Sequence, residues 1–513
     1  MKNKIALLIP LITLGFTNIK PNHIIFNEYI NDYNAIVFNP AYIHHDDKMA
    51  NFNFGYNIIG NFNNNALSID WLNNSLFAGK KLNNQNEKNK FLEVFDNNDI
   101  LISDFAQFQF GMNYKDYSLT TSFETFGTII IPYSIIDMTF NGLEFDKNLT
   151  LDTDESRFQS IMPIAFAHSF IIDKYLSKMD LPINNVKFGF STKLLLGMSY
   201  FESGFNNSLI DSSPDSVYVK GNINSKYSLF GSELVVDDTE YGNSEFKSNT
   251  KFGFPGKGFA IDLGLSADVS ENFNFGISFN NLLGTITWDE ASTYEYNMDY
   301  NLNISSDEFE EIAGYSDEQQ DSLTTSMISN ESNKSIPSFK SKYPSYLFIN
   351  INYRVKDFLI SSSLLNPLNN VYYKDFEFTS GVTYDRFKKM PLYFQYGFNG
   401  DKSYTWLFGL NFNFKNYDLK IGMSQKDGFF NTAKGISFGI SQTFKFNKKK
   451  KQKEIISEPY EIDQKEAIPT EKEPVDENKT LEENQIDQKE DVPTEEEPKN
   501  RFLDSNKIQS EDN

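Results

Sequence analysis

The chain has no cysteine, only three tryptophans and only four histidines in 513 residues. Without cysteine there are no disulfides, no thiolate metal sites, no iron–sulfur centres and no lipid-anchored terminal cysteine. The histidines give catalysis little to work with. His23, His44 and His45 come before any patterned segment, and His168 stands alone at the end of one. No Ser/His or Asp/His constellation assembles from them, so the chain reads as a non-enzyme. His44-His45-Asp46-Asp47 is an adjacent set on an unpatterned stretch, and no metal site is assigned to it. Gly253-Phe-Pro-Gly-Lys257-Gly lacks the GK[ST] ending and the following helix of a phosphate loop. No cofactor is implied, and no nucleic-acid partner is expected of a chain with a net charge of -23.

Long apolar runs are also absent. Ile5–Phe16, behind Lys2 and Lys4, is the longest and has the size of a signal-peptide core. Residues 1–20 are therefore read as a secretory signal without a clear cleavage site. After it, nothing reaches the ~18 apolar residues that a spanning helix needs.

Aromatic residues, by contrast, are abundant. There are 49 Phe and 27 Tyr, and aromatics make up 15% of the chain, yet the mean hydropathy is -0.46. Strands with one greasy and one wet face produce this combination. The pattern is cleanest at the end. Tyr404, Trp406, Phe408, Leu410, Phe412 and Phe414 alternate with small or polar residues, Leu407 being the exception. Tyr417, Leu419, Ile421 and Met423 resume after Lys415-Asn416, and Ile436, Phe438, Ile440, Phe444 and Phe446 form a third run. Side chains alternate between the faces of a strand. In a soluble sandwich the greasy face would be the core. These strands match the ~9–11 residues of a membrane strand, and their other face is Gly, Ser, Thr and Asn. The expected fold is an all-β transmembrane antiparallel β-barrel of about 14 strands, within 12–16, spanning 51–446.

Similar alternation covers Asp104–Tyr114, Tyr117–Phe123, Phe158–Phe170 and Lys187–Tyr200, with Tyr200 assigned to the greasy face. Pro163 predicts a local break. Walking back from Phe446 puts the short turns, Lys115-Asp116, Ser270–Asn272, Arg354–Asp357, Asp385–Met390 and Lys415-Asn416, at one end. That end is expected to be periplasmic. The long polar insertions 201–258 and 285–344 fall at the other end and are read as outside loops. Glu124, Lys193, Asp262, Asp418 and Lys420 are the charged candidates for the lumen face. Phe444 and Phe446 end the last strand as an outer-membrane assembly signal would, which implies the barrel assembly machinery as a partner and outer-membrane lipid as surroundings.

The segment 21–50 has no periodicity and contains Phe38-Asn39-Pro40-Ala41-Tyr42, where proline fixes its own φ and restricts Asn39. Residues 447–513 follow a basic cluster, Lys448–Lys451, with Glu, Asp, Lys, Pro and Gln. Such a composition predicts a disordered acidic tail in the periplasm. Its repeat, Ile462-Asp-Gln-Lys-Glu466 and Ile486-Asp-Gln-Lys-Glu490, reads either as a duplicated spacer or as a pair of motifs for periplasmic proteins.

Phe38–Tyr42, Gly256-Lys-Gly-Phe-Ala-Ile-Asp262-Leu-Gly264 and Asn280-Asn-Leu-Leu-Gly-Thr-Ile-Thr-Trp288 carry a resemblance. The chain resembles a family of outer-membrane β-barrels of unknown function from Bacteroidota, over roughly residues 30–446. That family is distantly similar to FadL-type transporters of hydrophobic compounds and to PorV-like barrels of type IX secretion. The FadL likeness implies a plug role for 21–50, with Asn39 and Pro40 as its motif. Two functions are expected to compete: passive transport of small or hydrophobic compounds, and a structural or secretion-associated barrel that docks partners through its loops and tail.

Overall fold

Alternation of this kind needs lipid or a second sheet against its apolar side. In the computed structural model of the protein the sheet closes on itself. Residues 33–446 are described, except 44–51, 74–84, 96–97, 143–145, 154, 177–182, 236–244, 249–252, 309–315, 317–318, 320–321, 324–325, 370–374 and 401–402. The predicted signal, His23, His44, His45 and the acidic tail lie outside the described residues.

The described strands are numbered along the chain. The first are β1 (Phe52–Asn64), β2 (Ile100–Tyr114), β3 (Tyr117–Ile131), β4 (Lys147–Thr150), β5 (Ser156–Ile171), β6 (Asn184–Ser212) and β7 (Ser216–Leu229). Next come β8 (Ser232–Val235), β9 (Glu245–Ser248), β10 (Gly256–Ser270), β11 (Phe273–Trp288), β12 (Thr293–Ser305), β13 (Ile328–Ser335) and β14 (Phe339–Lys342). The last are β15 (Tyr346–Val355), β16 (Phe358–Pro367), β17 (Glu377–Tyr384), β18 (Leu392–Asn399), β19 (Tyr404–Asn413), β20 (Tyr417–Lys426) and β21 (Gly435–Phe446). Fourteen of them form a closed antiparallel wall, in the order β1, β2, β3, β5, β6, β10, β11 and β15 to β21. The ring is sealed between first and last, with Phe52 opposite Phe446 and Asn63 opposite Gly435.

Closure pairs every wall strand on both sides, the condition for crossing hydrocarbon without exposing backbone polar groups. The outward face is apolar around the ring. Phe108, Phe166, Leu194, Phe259, Phe279, Ile351, Phe394, Phe408 and Phe438 are all exposed. Such a belt far exceeds the ~300–600 Å² apolar patch of a typical soluble monomer, so the fold is a transmembrane barrel. The short turns share one end, where the belt ends in aromatic pairs. Tyr117 stacks on His168 at 4.4 Å, Phe54 on Phe444 at 5.2 Å, and Phe358 meets Tyr384 at 5.0 Å. Aromatic girdles mark membrane–water boundaries. The Nδ1 of His168 lies 3.1 Å from the carbonyl of Asp116 in the adjoining turn. Pro163 interrupts the β3–β5 ladder, which pairs Thr121 with Ile164 and resumes at Glu124 and Ile161.

Two expectations need correction. The described residues of the insertions 201–258 and 285–344 are largely strand. The second half of β6 continues beyond the ring for a total of 29 residues and pairs with β7. β7 in turn pairs with β12, and β12 with β13. Alternation through Asn206–Ser212 and Tyr218–Ile223 is masked by serine and asparagine, which read as loop. Tyr200 faces inward and is buried. Ser160 lies opposite Ser199, but Ile161 lies opposite Gly197, so Met198 is an extra residue. A one-residue bulge turns the following side chains to the other face.

Candidate functional site

Residues 33–43 cross the inside of the ring near its short-turn end. Ala35–Phe38 is one helical turn and Pro40–Ile43 a 3-10 turn. Tyr33 lies against Gly55 of β1 and Gly111 of β2, and its hydroxyl donates to Asn57 Oδ1 at 3.1 Å. Pro40, Asn39 and Tyr42 lie against Gly189 of β6, Gly264 of β10 and Gly276 of β11 respectively. These two groups lie three to six strands apart in the wall order, so the segment crosses the lumen between separate parts of the wall. A Cβ on Gly264 would collide with the Asn39 amide, and one on Gly189 with the backbone of Pro40. The glycines admit backbone where any side chain would exclude it.

Hydrogen bonds fix the segment to the wall. Asn39 Nδ2 donates to the carbonyls of Leu265 at 3.0 Å and Ile277 at 3.3 Å. Its Oδ1 accepts from Ala41 N at 2.9 Å. The Phe38 carbonyl accepts from Ser278 Oγ at 2.5 Å and Asn280 Nδ2 at 3.0 Å. Tyr346 donates to the Val37 carbonyl at 2.8 Å and Ser169 to that of Ala41 at 3.0 Å. Asn39 and Pro40 therefore lie at the centre of the docked segment.

Next to this floor the inward face is polar as alternation predicts, with Asn57, Gln109, Asn350 and Ser441 buried there, and it also carries an apolar cluster. Ile36, Phe38, Ile59, Phe105, Phe126, Ile161, Leu195, Trp288, Phe348 and Leu407 belong to one buried cluster. Phe38 meets Phe348 at 5.9 Å, and Tyr200 meets Trp288 at 5.6 Å. The sequence signals were Leu407, the exception in its strand, and Trp288, the end of a family motif.

Glu124, Lys193 and Asp262 converge here. Lys193 Nζ lies 2.8 Å from Asp262 Oδ2, with the two side chains 9% and 0% exposed, and 2.6 Å from Asn281 Oδ1. Asp262 Oδ1 accepts from Asn281 N at 2.7 Å, and Asn281 Nδ2 donates to the Pro344 carbonyl at 2.7 Å. Asn281 reaches inward because β11 carries extra residues between Phe279 and Thr285 relative to β10. Its φ is 57°, a region asparagine tolerates better than most residues. This explains the Asn280–Trp288 motif locally: its bulges aim an asparagine at a buried ion pair. Glu124 Oε1 accepts from Gln107 Nε2 at 3.0 Å and Ser122 Oγ at 2.7 Å, and Oε2 accepts from the Tyr343 hydroxyl at 2.8 Å. Residue type and strand face marked Glu124, Lys193 and Asp262, whereas Asn281 and Tyr343 gave no comparable signal.

A cavity lies between the floor and this wall and opens on one side. Ile36, Val37, Phe105 and Phe126 form its apolar side, and Glu124, Lys193, Asn281 and Tyr343 its polar side. Asp418 and Lys420 are placed elsewhere, on β20 near the short turns, and Asp418 pairs with Lys445. Phe444 and Phe446 point outward at the seam, against Phe54 and Phe52.

Several solved barrels are similar to the chain at low identity. The Pseudomonas aeruginosa FadL homologue is 11% identical, with coverage of 84% of this chain and 100% of that one and a TM-score of 0.43. The toluene transporter TodX of P. putida is 11% identical over 81% and 94%, with a TM-score of 0.40. The Ralstonia pickettii toluene transporter TbuX is 9% identical over 80% and 93%, with a TM-score of 0.41. None of the curated proteins matches the chain significantly. Residues 40–446 match the model of a family of unknown function, DUF5723, and with most of its length inside that match the chain belongs to this family.

Proposed function

We propose that the protein is an outer-membrane barrel for passive passage of small hydrophobic compounds, with residues 33–43 as a displaceable floor. The observation that carries this reading is a chamber with one apolar side inside a membrane-spanning ring, next to a segment held by side-chain hydrogen bonds. A barrel that served only as a wall gains nothing from an internal cavity. A passage needs an apolar resting place and a barrier, and both are present. Hydrogen bonds contribute about 0.5–1.5 kcal/mol each, so the floor can be fixed on average and still undock. In this reading the short turns face the periplasm, and residues 447–513 extend there beyond the last strand.

Liposome swelling with small neutral aromatic solutes tests it. Flux above that of protein-free vesicles is expected, and higher flux when residues 33–43 are deleted. No flux from either form would overturn the reading. A second reading, a barrel that docks partners, is favoured by the sheet of β6, β7, β12 and β13 standing beyond the ring. The first outcome expected of it is absence of flux, together with capture of partners by that sheet or by the tail.

A further inference from the structure

The chamber carries a specific chemistry, and resting on the passage reading, we propose that its cavity binds amphiphiles whose polar head donates hydrogen bonds, ammonium heads most tightly, and rejects carboxylates. The argument is one of charge and of free acceptors. Lys193 and Glu124 line the site, and Asp262 lies behind Lys193. Lys193 is already matched, since its ammonium lies on Asp262 and its neighbour Asn281. Glu124 has no cationic partner among the described residues. Only neutral donors hold it: Gln107, Ser122 and Tyr343. With one cation and two carboxylates, the site carries a net charge of one negative unit.

The acceptor count points the same way. A carboxylate offers about four lone-pair positions, and the Glu124 side chain uses three. Among the described residues its Oε2 accepts only from Tyr343, so one position remains open beside the cavity that Glu124 lines. A head that donates can take that position. A carboxylate head cannot, and it would bring a second negative charge into a buried site where the one ammonium is occupied. Like charges in such surroundings disfavour each other strongly. The tail of the ligand would lie against Ile36, Val37, Phe105 and Phe126. Its chain is therefore apolar and short enough for the cavity.

Three probes matched in chain length separate the possibilities: octylammonium, octanol and octanoate, titrated calorimetrically against the full chain in nanodiscs of neutral lipid. Octylammonium should bind at least tenfold more tightly than octanoate, with octanol between them. Glu124→Gln removes the charge and keeps the shape. It should cut the ammonium affinity at least tenfold and change that of octanol less than threefold. Heat-modifiable migration on gels confirms that the variant barrel is folded. If that variant fails to fold, Tyr343→Phe supplies the second test, because it frees a further lone pair and should strengthen ammonium binding. Equal or tighter binding of octanoate, or an unchanged ratio in the folded Glu124→Gln variant, overturns the inference. Swelling assays with the same three probes distinguish the two failures. Flux without head-group preference refutes only the selectivity, and no binding and no flux refute the passage reading as well.

Discussion

Asn39→Ala should release the floor and leave the ring intact. Asn39 is fully buried, and its amide makes three bonds, two to the carbonyls of Leu265 and Ile277 and one from Ala41 N. The first two are worth about 0.5–1.5 kcal/mol each. Loss of the third leaves a buried N–H without an acceptor, which costs about 1–3 kcal/mol. Allowing for the length of the Ile277 bond, docking weakens by about 3 kcal/mol, on the order of a hundredfold in the undocked fraction. The ring does not need Asn39, because Leu265 and Ile277 are already paired across β10 and β11. The absence of native cysteine allows a direct assay. Ala35→Cys places a single thiol on a fully buried position of the floor, and its maleimide-labelling rate reports the fraction of time the segment is open. Adding Asn39→Ala should raise that rate on the order of a hundredfold. Gly264→Ala should raise it too, acting from the wall, since its Cβ meets Asn39 Oδ1 and lies 2.9 Å from Pro40 Cδ. Rates within about threefold of the parent for both variants would refute the account of what holds the floor. Loss of heat-modifiable migration would show that the ring depends on the segment.

Further outcomes follow from the two faces and the seam. Phe408→Arg, on the lipid face and 51% exposed, should cost about 2–4 kcal/mol in denaturant unfolding from lipid, whereas Ser437→Arg on the lumen face should cost clearly less. Equal losses would contradict the assigned faces. Lys193→Met leaves Asp262 buried without its cation and should destabilise by about 3–5 kcal/mol; Lys193→Met with Asp262→Leu should recover most of it, and a double-mutant cycle measures the coupling. Phe126→Ala empties a buried site on the apolar side of the cavity and should cost about 3–5 kcal/mol while raising solute flux; unchanged flux would place the chamber off the path. Truncation after Lys451 should leave a heat-modifiable, membrane-inserted barrel. Removal of everything from Gly435 should abolish insertion, because β1 and β20 then present open edges to lipid.

The sequence by itself determined the barrel. Tyr404–Phe446 alternates strictly enough that a polar lining and an apolar belt follow from the two-residue period of a strand. The spacing of Lys115-Asp116, Arg354–Asp357 and Lys415-Asn416 then fixes which turns share an end. It also marked Glu124, Lys193 and Asp262 as inward-facing, because Phe123, Leu194, Ile261 and Leu263 beside them belong to the apolar face. Tertiary structure decided the rest, for reasons a linear pattern does not encode. Tyr200 turns inward because of one extra residue at Met198, and a bulge depends on the partner strand. Asn281 reaches Lys193 through bulges between β10 and β11, 88 residues along the chain. The lumen carries an apolar patch next to the floor because Phe38 and Phe348, far apart in sequence, meet there. Gly189, Gly264 and Gly276 look like ordinary small residues in alternation until Pro40, Asn39 and Tyr42 are laid against them. A closed ring brings opposite walls within reach of one segment, and only closure makes a lumen for that segment to cross.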